Sequence, residues 1–126
     1  MKVLMYIHQL PQNLLGLLVI LIAGAKYMNK GCWVTSKYRF GVSLGNYIIF
    51  GMVVNETSLK HEQGHRKQSE KLGWLYLLVV GLPSITRNIW DRVAHKKWSY
   101  RKRNEWYYSG FPENWADKLG GVKRKY

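Results

Sequence analysis

The chain has 126 residues, the length of one domain, and its 47% hydrophobic and 14% aromatic composition excludes a disordered tail. With 20 Lys and Arg against 7 Asp and Glu, the formal net charge is +13, which favours anionic partners such as nucleic acid or acidic lipid headgroups. The single cysteine, Cys32, excludes an internal disulfide and a thiolate metal cluster, and we expect it to be a small buried hydrophobe.

The first 25 residues form a hydrophobic segment, which we predict to be an N-terminal helix or membrane anchor preceding one domain of residues 26–126. Polar residues between His8 and Asn13 interrupt it, and the apolar run 14–25 amounts to roughly 18 Å of helix against a hydrocarbon core of about 30 Å. Three interpretations stay open: a tilted or polar-flanked membrane helix, a monotopic or buried core helix, and a cleaved signal peptide ending near Ala25.

Basic residues follow the hydrophobic segment directly. By the positive-inside rule they would keep the body of a membrane-associated protein on the cytoplasmic side. These residues are Lys26, Lys30, Lys37 and Arg39.

The next part of the chain changes from an apolar run to short β-type runs. Residues 33–35 and 42–44 and the longer run 47–54 are separated by glycines, and they predict two or three antiparallel strands. Asn55 is a suitable helix N-cap, and Gly73 a suitable stop after Leu72, so a helix is predicted between them.

A second apolar run covers residues 74–85, and Pro83 interrupts it. It is too short to cross a bilayer alone, which favours a core helix or a re-entrant hairpin. A further helix is predicted after Pro112, with Gly120 and Gly121 at its end.

The run His61-Glu62-Gln63-Gly64-His65 predicts a metal site within the first of these helices. Histidines at positions i and i+4 lie on one face, so both imidazoles can reach one zinc ion at about 2.0–2.1 Å. Glu62 can then take a proton from water without binding the metal. Gly64 costs helix stability, and its missing side chain would let another backbone pass close to the helix.

A catalytic zinc needs a third protein ligand and an open position. The best candidate is Glu113, because Glu113 and Asp117 are also at i and i+4 and can both face the first helix. Asp117 is predicted to accept the free N–H of a ligating histidine and so fix its tautomer. The competing interpretations are a pair of surface histidines and an ordinary solvated acidic face.

Together, His61-Glu62-Gln63-Gly64-His65 and Glu113-Asn114-Trp115-Ala116-Asp117 resemble the paired signature of the gluzincin membrane zinc metallopeptidases. That group includes the CAAX-prenyl proteases and the bacterial heat-shock membrane protease, in which hydrophobic segments also separate the two motifs. The resemblance covers residues 58–120 at most, and this chain is much shorter than those enzymes.

The resemblance implies a membrane-associated zinc metallopeptidase with one zinc ion per chain, a peptide or protein substrate, and Glu62 as general base. The fold we predict is α+β: a minimal zincin-like domain with a short antiparallel sheet, an active-site helix, a second ligand helix and the N-terminal hydrophobic helix. Candidate donors to the oxyanion are His95, Tyr107 and Tyr108. The run 47–54 is either the sheet edge that pairs with substrate or a core strand.

Two rival interpretations stay open. Residues 87–108 interleave basic and aromatic side chains, a pattern typical of nucleic-acid binding but equally of a membrane interface, and the neighbouring apolar runs favour anionic lipid. Alternatively, the chain is a non-catalytic small membrane protein in which the histidines are incidental.

Overall fold

The computed structural model describes residues 2–29, 31–37, 40–51 and 55–124. These residues form an α+β fold in which a small sheet packs between helices. The strands are β1 Lys26–Asn29, β2 Cys32–Thr35, β3 Gly41–Leu44 and β4 Tyr47–Gly51. The helices are α1 Lys2–His8, α2 Leu10–Ala23, α3 Glu56–Leu72, α4 Leu82–Ala94, α5 Tyr100–Ser109 and α6 Glu113–Gly120.

The N-terminal segment is not the single long hydrophobic helix that we predicted. It divides at Gln9 into α1 and α2, because Gln9 and Gln12 turn inward and hydrogen-bond with Ser69 at the end of α3. Gly24 then ends α2 in the left-handed conformation. Of the basic residues that follow this segment, Lys30 and Arg39 lie outside the described residues.

The sheet is mixed, with strand order β1-β2-β4-β3, so the predicted purely antiparallel sheet is wrong. Strand β4 pairs antiparallel with β3 but parallel with β2. Strand β1, which we did not predict, pairs antiparallel with β2. The end of the predicted strand 47–54, from residue 52 onward, lies outside the described residues.

Side chains of β4 alternate between two layers, as expected for a strand buried on both faces. Ile49 packs with Ile20 of α2 and Leu44, whereas Ile48 and Phe50 pack with Cys32. Leu59 of α3 covers this second cluster. The sheet is therefore held between α2 and α3, and Cys32 is buried as predicted.

Helix α3 has the predicted ends. The Asn55 side chain accepts a hydrogen bond from the Ser58 N–H at 2.8 Å, and Gly73 adopts a positive φ of 56° at the C-terminus. These signals depend on residues at the helix ends themselves, so they can be predicted from the sequence without the tertiary structure.

The second apolar run turns back rather than continuing α3. A 3-10 turn at Gly73–Leu75 and a π-helical turn at Leu77–Gly81 lead into α4, with Pro83 in the first turn of α4. Among the described residues, no single helix has the length and apolar character to cross a membrane; the segments Glu56–Leu75 and Leu77–Ala94 meet those criteria only as a pair bent by 119°.

Helices α3 and α6 cross with their backbones in contact. A Cβ on Gly64 would lie 1.8 Å from the Ala116 carbonyl oxygen, and a Cβ on Gly120 would lie 2.0 Å from the Lys60 carbonyl oxygen. Only glycine fits at either position. The close approach predicted for Gly64 is thus made by α6, the helix that carries Glu113 and Asp117.

Candidate metal centre

Two imidazoles from α3 and one carboxylate from α6 meet at a single point. The Nε2 atoms of His61 and His65 each lie 2.9 Å from Oε2 of Glu113. All three side chains are buried, and their ligand atoms lie within 4.8 Å of one another. His61, His65 and Glu113 could therefore hold a metal ion.

The outer nitrogen of His61 is fixed by a carboxylate. Its Nδ1 lies 2.6 Å from Oδ1 of Asp117, and because a carboxylate only accepts, Nδ1–H donates. Arg124 donates to both oxygens of Asp117, at 2.6 and 3.0 Å. This chain of contacts leaves Nε2 of His61 directed at the metal position, as expected for an orienting carboxylate.

His65 is oriented by an amide that sequence reasoning missed. Gln68 donates from Nε2 to the Pro112 carbonyl oxygen at 3.1 Å, so its Oε1 is the atom that accepts from Nδ1–H of His65 at 2.7 Å. Gln68 lies three residues after His65 on the same helical face, and this spacing is the signal that could have identified it.

The two oxygens of Glu113 have different partners. Oε1 accepts hydrogen bonds from Ser84 Oγ and, at 3.1 Å, from the Tyr107 hydroxyl. Oε2 faces the two histidines. The carboxylate is thus held by its outer oxygen so that the inner one can serve as a single ligand atom. Ser84, on α4, was not predicted, since no local pattern places α4 beside α6.

The side chains of this cluster shift one another's pKa values. Burial opposes charge on His61, but hydrogen bonds with Asp117 and Glu113 outweigh it and raise the pKa of His61 to about 9. Burial likewise opposes ionisation of Glu113, yet the hydrogen bonds with the two imidazoles hold the pKa of its carboxyl well below the usual range. The hydrogen bonds with Glu113 therefore favour the protonated imidazole of His61 and the ionised carboxylate of Glu113.

Glu62 is buried beside this cluster and is not one of its ligands. Among the described residues its Oε2 has no hydrogen-bond partner. Burial raises the pKa of the Glu62 carboxyl, against the opposing influence of His65 and His61. Burying a carboxylate oxygen without a hydrogen-bond partner lowers the stability of the folded protein. Such atoms are more often found in functional sites, where a substrate or water can bind to them.

The cluster lies on the wall of a cavity of about 960 Å³. Strand β3, from Gly41 to Leu44, forms another wall, together with hydrophobic residues of α2 and α4. Strand β3 is one of the two edges of the described sheet, whereas β4 has neighbours on both sides. For the described part of the run 47–54, Tyr47–Gly51, the interpretation as a sheet edge is therefore wrong, and the alternative as a core strand is correct.

The three candidate oxyanion donors have different positions. Tyr107 and Tyr108 line the cavity, and the Tyr108 ring meets the His61 ring edge-on at 5.1 Å. The structure does not bring His95 to the site. Its ring stacks on Trp98 at 3.6 Å, and its Nδ1–H donates to Asp91 at 2.9 Å.

Several members of the basic aromatic segment 87–108 bind one another. Arg87 donates to the Trp106 carbonyl oxygen at 2.9 Å and lies over the Trp106 ring, and Lys102 lies over the Trp98 ring. Arg103 forms a salt bridge with Asp91 at 2.8 Å. These contacts join α4, the following turn and α5.

Searches with the chain against protein-family models, curated proteins and solved structures gave no significant match. The assignment of a function consequently rests on the geometry of the site.

Proposed function

We propose that this protein is a zinc-dependent peptide hydrolase. The observation that carries the proposal is the meeting of His61 Nε2, His65 Nε2 and Glu113 Oε2 beside the unpartnered Oε2 of Glu62, on the wall of an open cavity. Two imidazoles and one carboxylate are the ligand set of catalytic zinc sites that keep a fourth position for water. The resemblance to gluzincin peptidases in the same residues supports the choice of zinc over other metals that accept nitrogen and oxygen ligands.

Zinc bound there would supply an acidified water and a positive charge for the scissile carbonyl. Glu62 Oε2 would accept the proton of the attacking water and return it to the leaving amine. Burial raises the pKa of the Glu62 carboxyl, which makes the carboxylate a stronger base than an exposed one. A structural site would close with four protein ligands and would have no use for this carboxylate.

The tyrosines would stabilise developing negative charge. Burial raises the pKa of Tyr108 to about 12, so its hydroxyl stays protonated and able to donate at neutral pH. The Tyr107 hydroxyl already donates to Glu113. Tyr108, beside His61 on the cavity wall, is therefore the better candidate for contact with the substrate oxyanion.

An extended peptide would bind along β3. This strand is an edge of the described sheet and lines the cavity, so a substrate strand would pair with it near Gly41, because the Ser43 carbonyl oxygen already accepts from the Tyr76 hydroxyl at 2.8 Å. Gly41 lies next to Glu62, since a Cβ built on it would be 3.4 Å from Glu62 Oε1. Substrate paired with β3 would thus pass directly by the proposed base.

The first test is elemental analysis of the protein purified in mild detergent, as wild type and as His65→Ala, Glu113→Ala and His8→Ala. We expect about one zinc per chain in the wild type, none in the two ligand variants, and an unchanged content in His8→Ala, whose imidazole binds the Glu70 carbonyl oxygen outside the site. A wild type that stays metal-free after incubation with zinc would overturn the proposal.

The second test separates metal binding from catalysis. Hydrolysis of a quenched fluorescent peptide library should depend on zinc and be lost in Glu62→Gln, while Glu105→Gln, which removes an exposed carboxylate, should be active. Equal activity of Glu62→Gln and wild type would remove Glu62 from the mechanism.

A further inference from the structure

Helix α2 has its polarity inverted relative to a helix in water. Its buried residues include Gln12 and Asn13, each 0% exposed, whereas Leu21 is 78% exposed and Ile22 64% exposed. Gln12 donates to Ser69 and to the Gly73 carbonyl oxygen, both at 2.8 Å. The polar side chains therefore face the protein interior and the leucines face outward, which is the arrangement expected where the surroundings are apolar.

A second exposed apolar stripe begins in the π-helical turn and runs along α4. Leu78, Leu82, Ile85, Ile89 and Val93 recur every three or four residues, so they lie on one side, and each is more than half exposed. The opposite side of α4 is polar and packs within the protein. It includes Ser84, Arg87 and Asp91, which bond to α6 and α5.

The exposed sides of α2 and α4 border the same cavity. Leu15 of α2 and Leu82 and Ile85 of α4 are exposed, and all three also line the cavity wall. Leu77, in the π-helical turn before α4, packs against the core cluster that contains Ile20 of α2. We call the exposed apolar residues of α2 and of the Leu78–Val93 stripe the apolar face.

Each helix of the apolar face exposes one apolar side and packs on the protein with the other. This one-sided pattern is typical of helices that lie in the plane of a membrane surface. The residues next to the α4 stripe match such a surface. Trp90 is 60% exposed, and Arg92, Lys96 and Lys97 are exposed beside it, where an aromatic ring would sit at headgroup depth and the cations would meet anionic lipid.

We propose that the apolar face docks in the plane of an anionic lipid bilayer, so that the mouth of the cavity opens toward the lipid. The net charge of +13 complements such a surface. The docking surface is independent of the metal. Only the consequence that apolar peptide segments reach the site from the membrane side rests on the proposed function.

The test is vesicle flotation of the full chain after dilution out of detergent, with phosphatidylcholine vesicles containing none or about 30% phosphatidylglycerol. Leu21→Glu combined with Ile89→Glu should lower the vesicle-bound fraction at least about tenfold, because both charges enter the apolar face. Met28→Glu, at an exposed apolar position on β1 outside that face, should leave binding unchanged.

Two further measurements test the contribution of the basic residues and the orientation of the protein on the membrane. Replacing Arg92, Lys96 and Lys97 by Gln should weaken binding to the anionic vesicles by about tenfold or more and leave binding to neutral vesicles unaffected. Brominated lipid should quench tryptophan fluorescence less in Trp90→Phe than in wild type, since Trp90 would lie at the lipid surface.

Zinc content measured on the same samples separates the two proposals. Vesicle binding by a protein that contains no zinc would support docking and overturn the peptidase proposal. Zinc binding by a protein that does not bind vesicles would overturn docking and leave the peptidase proposal standing. A wild type that floats no better than the double-Glu variant would overturn docking. So would a stable detergent-free dimer that the double-Glu variant dissociates, because a second copy would then cover the apolar face.

Discussion

The described residues include two histidine–carboxylate clusters of similar composition and different character. In the first, His61 and His65 of α3 meet Glu113 and Asp117 of α6. In the second, His95 donates to Asp91 at the end of α4. Both are largely buried, and in both a histidine and an acid are joined by a direct hydrogen bond.

The second cluster is closed. One oxygen of Asp91 accepts from His95, and the other accepts from Arg103 Nε and NH2, at 3.1 and 2.8 Å. Trp98 covers the His95 ring. Every charge has its counter-charge, and the cluster joins α4, the following turn and α5 as a structural unit.

The first cluster is open. Two imidazole nitrogens point at one oxygen of Glu113, and the Glu62 carboxylate beside them keeps an oxygen without a partner among the described residues. Residue types alone therefore do not distinguish a candidate metal site from a structural cluster. The distinction lies in the convergence of three potential ligand atoms and in an unsatisfied group on a cavity wall.

The largest effect should come from removing the unsatisfied group. Glu62→Gln keeps the size of the side chain but not its basicity, so we expect peptide hydrolysis to fall by roughly 10²–10⁴-fold with zinc content unchanged. Steady-state kinetics with elemental analysis checks this. Asp91→Asn, the parallel change in the closed cluster, should leave the rate within about twofold of wild type, because Asp91 takes no part in proton transfer.

The next effect tests what assembles the open cluster. Gly64→Ala would place a methyl group against the Ala116 carbonyl oxygen, and we expect the free energy of unfolding to fall by about 1–3 kcal/mol as α3 and α6 separate. Zinc affinity should fall as well, because the ligands come from both helices. Chemical denaturation and metal titration measure the two effects.

Gly81→Ala provides the matched comparison. The nearest atom to a Cβ at this position is 3.5 Å away, an ordinary contact, and helix propensity favours alanine by up to about 1 kcal/mol. Stability should therefore be unchanged or slightly increased, with full zinc binding. If Gly64→Ala behaved in the same way, the backbone contact between α3 and α6 would not be what holds the cluster together.

A smaller effect is expected from the residue that orients His61. Asp117→Asn weakens the hold on the N–H of His61, and zinc affinity should fall by about 10–100-fold as measured by competition with a chelator. Asp91→Asn should leave zinc affinity unchanged, although it too removes a carboxylate bonded to a histidine. Equal losses in both variants would indicate a general effect of charge.

These residues show which parts of the site could be predicted from the sequence. The pairs His61–His65 and Glu113–Asp117 were predictable because the geometry of one helix places side chains four residues apart on one face, and Glu62 because it follows the first histidine in the motif. Ser84 and Arg124 were not, since their contacts depend on how α4 and the C-terminal segment pack on α6. His95 was misplaced for the same reason, because its partners come from α4, α5 and the turn between them.

In the fold, too, local features were predictable from the sequence and long-range contacts were not. Asn55 and Gly73 mark the ends of α3 by local chemistry, and the runs that became β2 and β3 were recognisable. The parallel pairing of β2 with β4 was not, because the choice of neighbour depends on covering Ile48 and Phe50 with Cys32 and Leu59. The inverted polarity of α2 was equally hidden, since it depends on Gln12 finding Ser69.

The smallest expected effect is the dependence of stability and zinc affinity on pH. In the metal-free open cluster the pKa of His61 is raised to about 9, above the unfolded value near 6.5, so its stabilising contribution is complete below about pH 6.5 and is lost as pH rises through 9. Zinc needs the neutral imidazole, so zinc affinity should increase with pH over the same range, by up to about tenfold per unit.

The closed cluster should respond at the other end of the scale. Partial burial would raise the pKa of Asp91, but Arg103 and His95 lower it, so its contribution is present above the unfolded value near 3.9 and is lost as pH falls below that. Thermal unfolding of wild type and Asp91→Asn should therefore differ at pH 7 and converge in acid, while zinc titrations of the two coincide throughout. Curves for zinc binding that shifted with Asp91 would mean that the clusters are coupled and that the division into open and closed is incorrect.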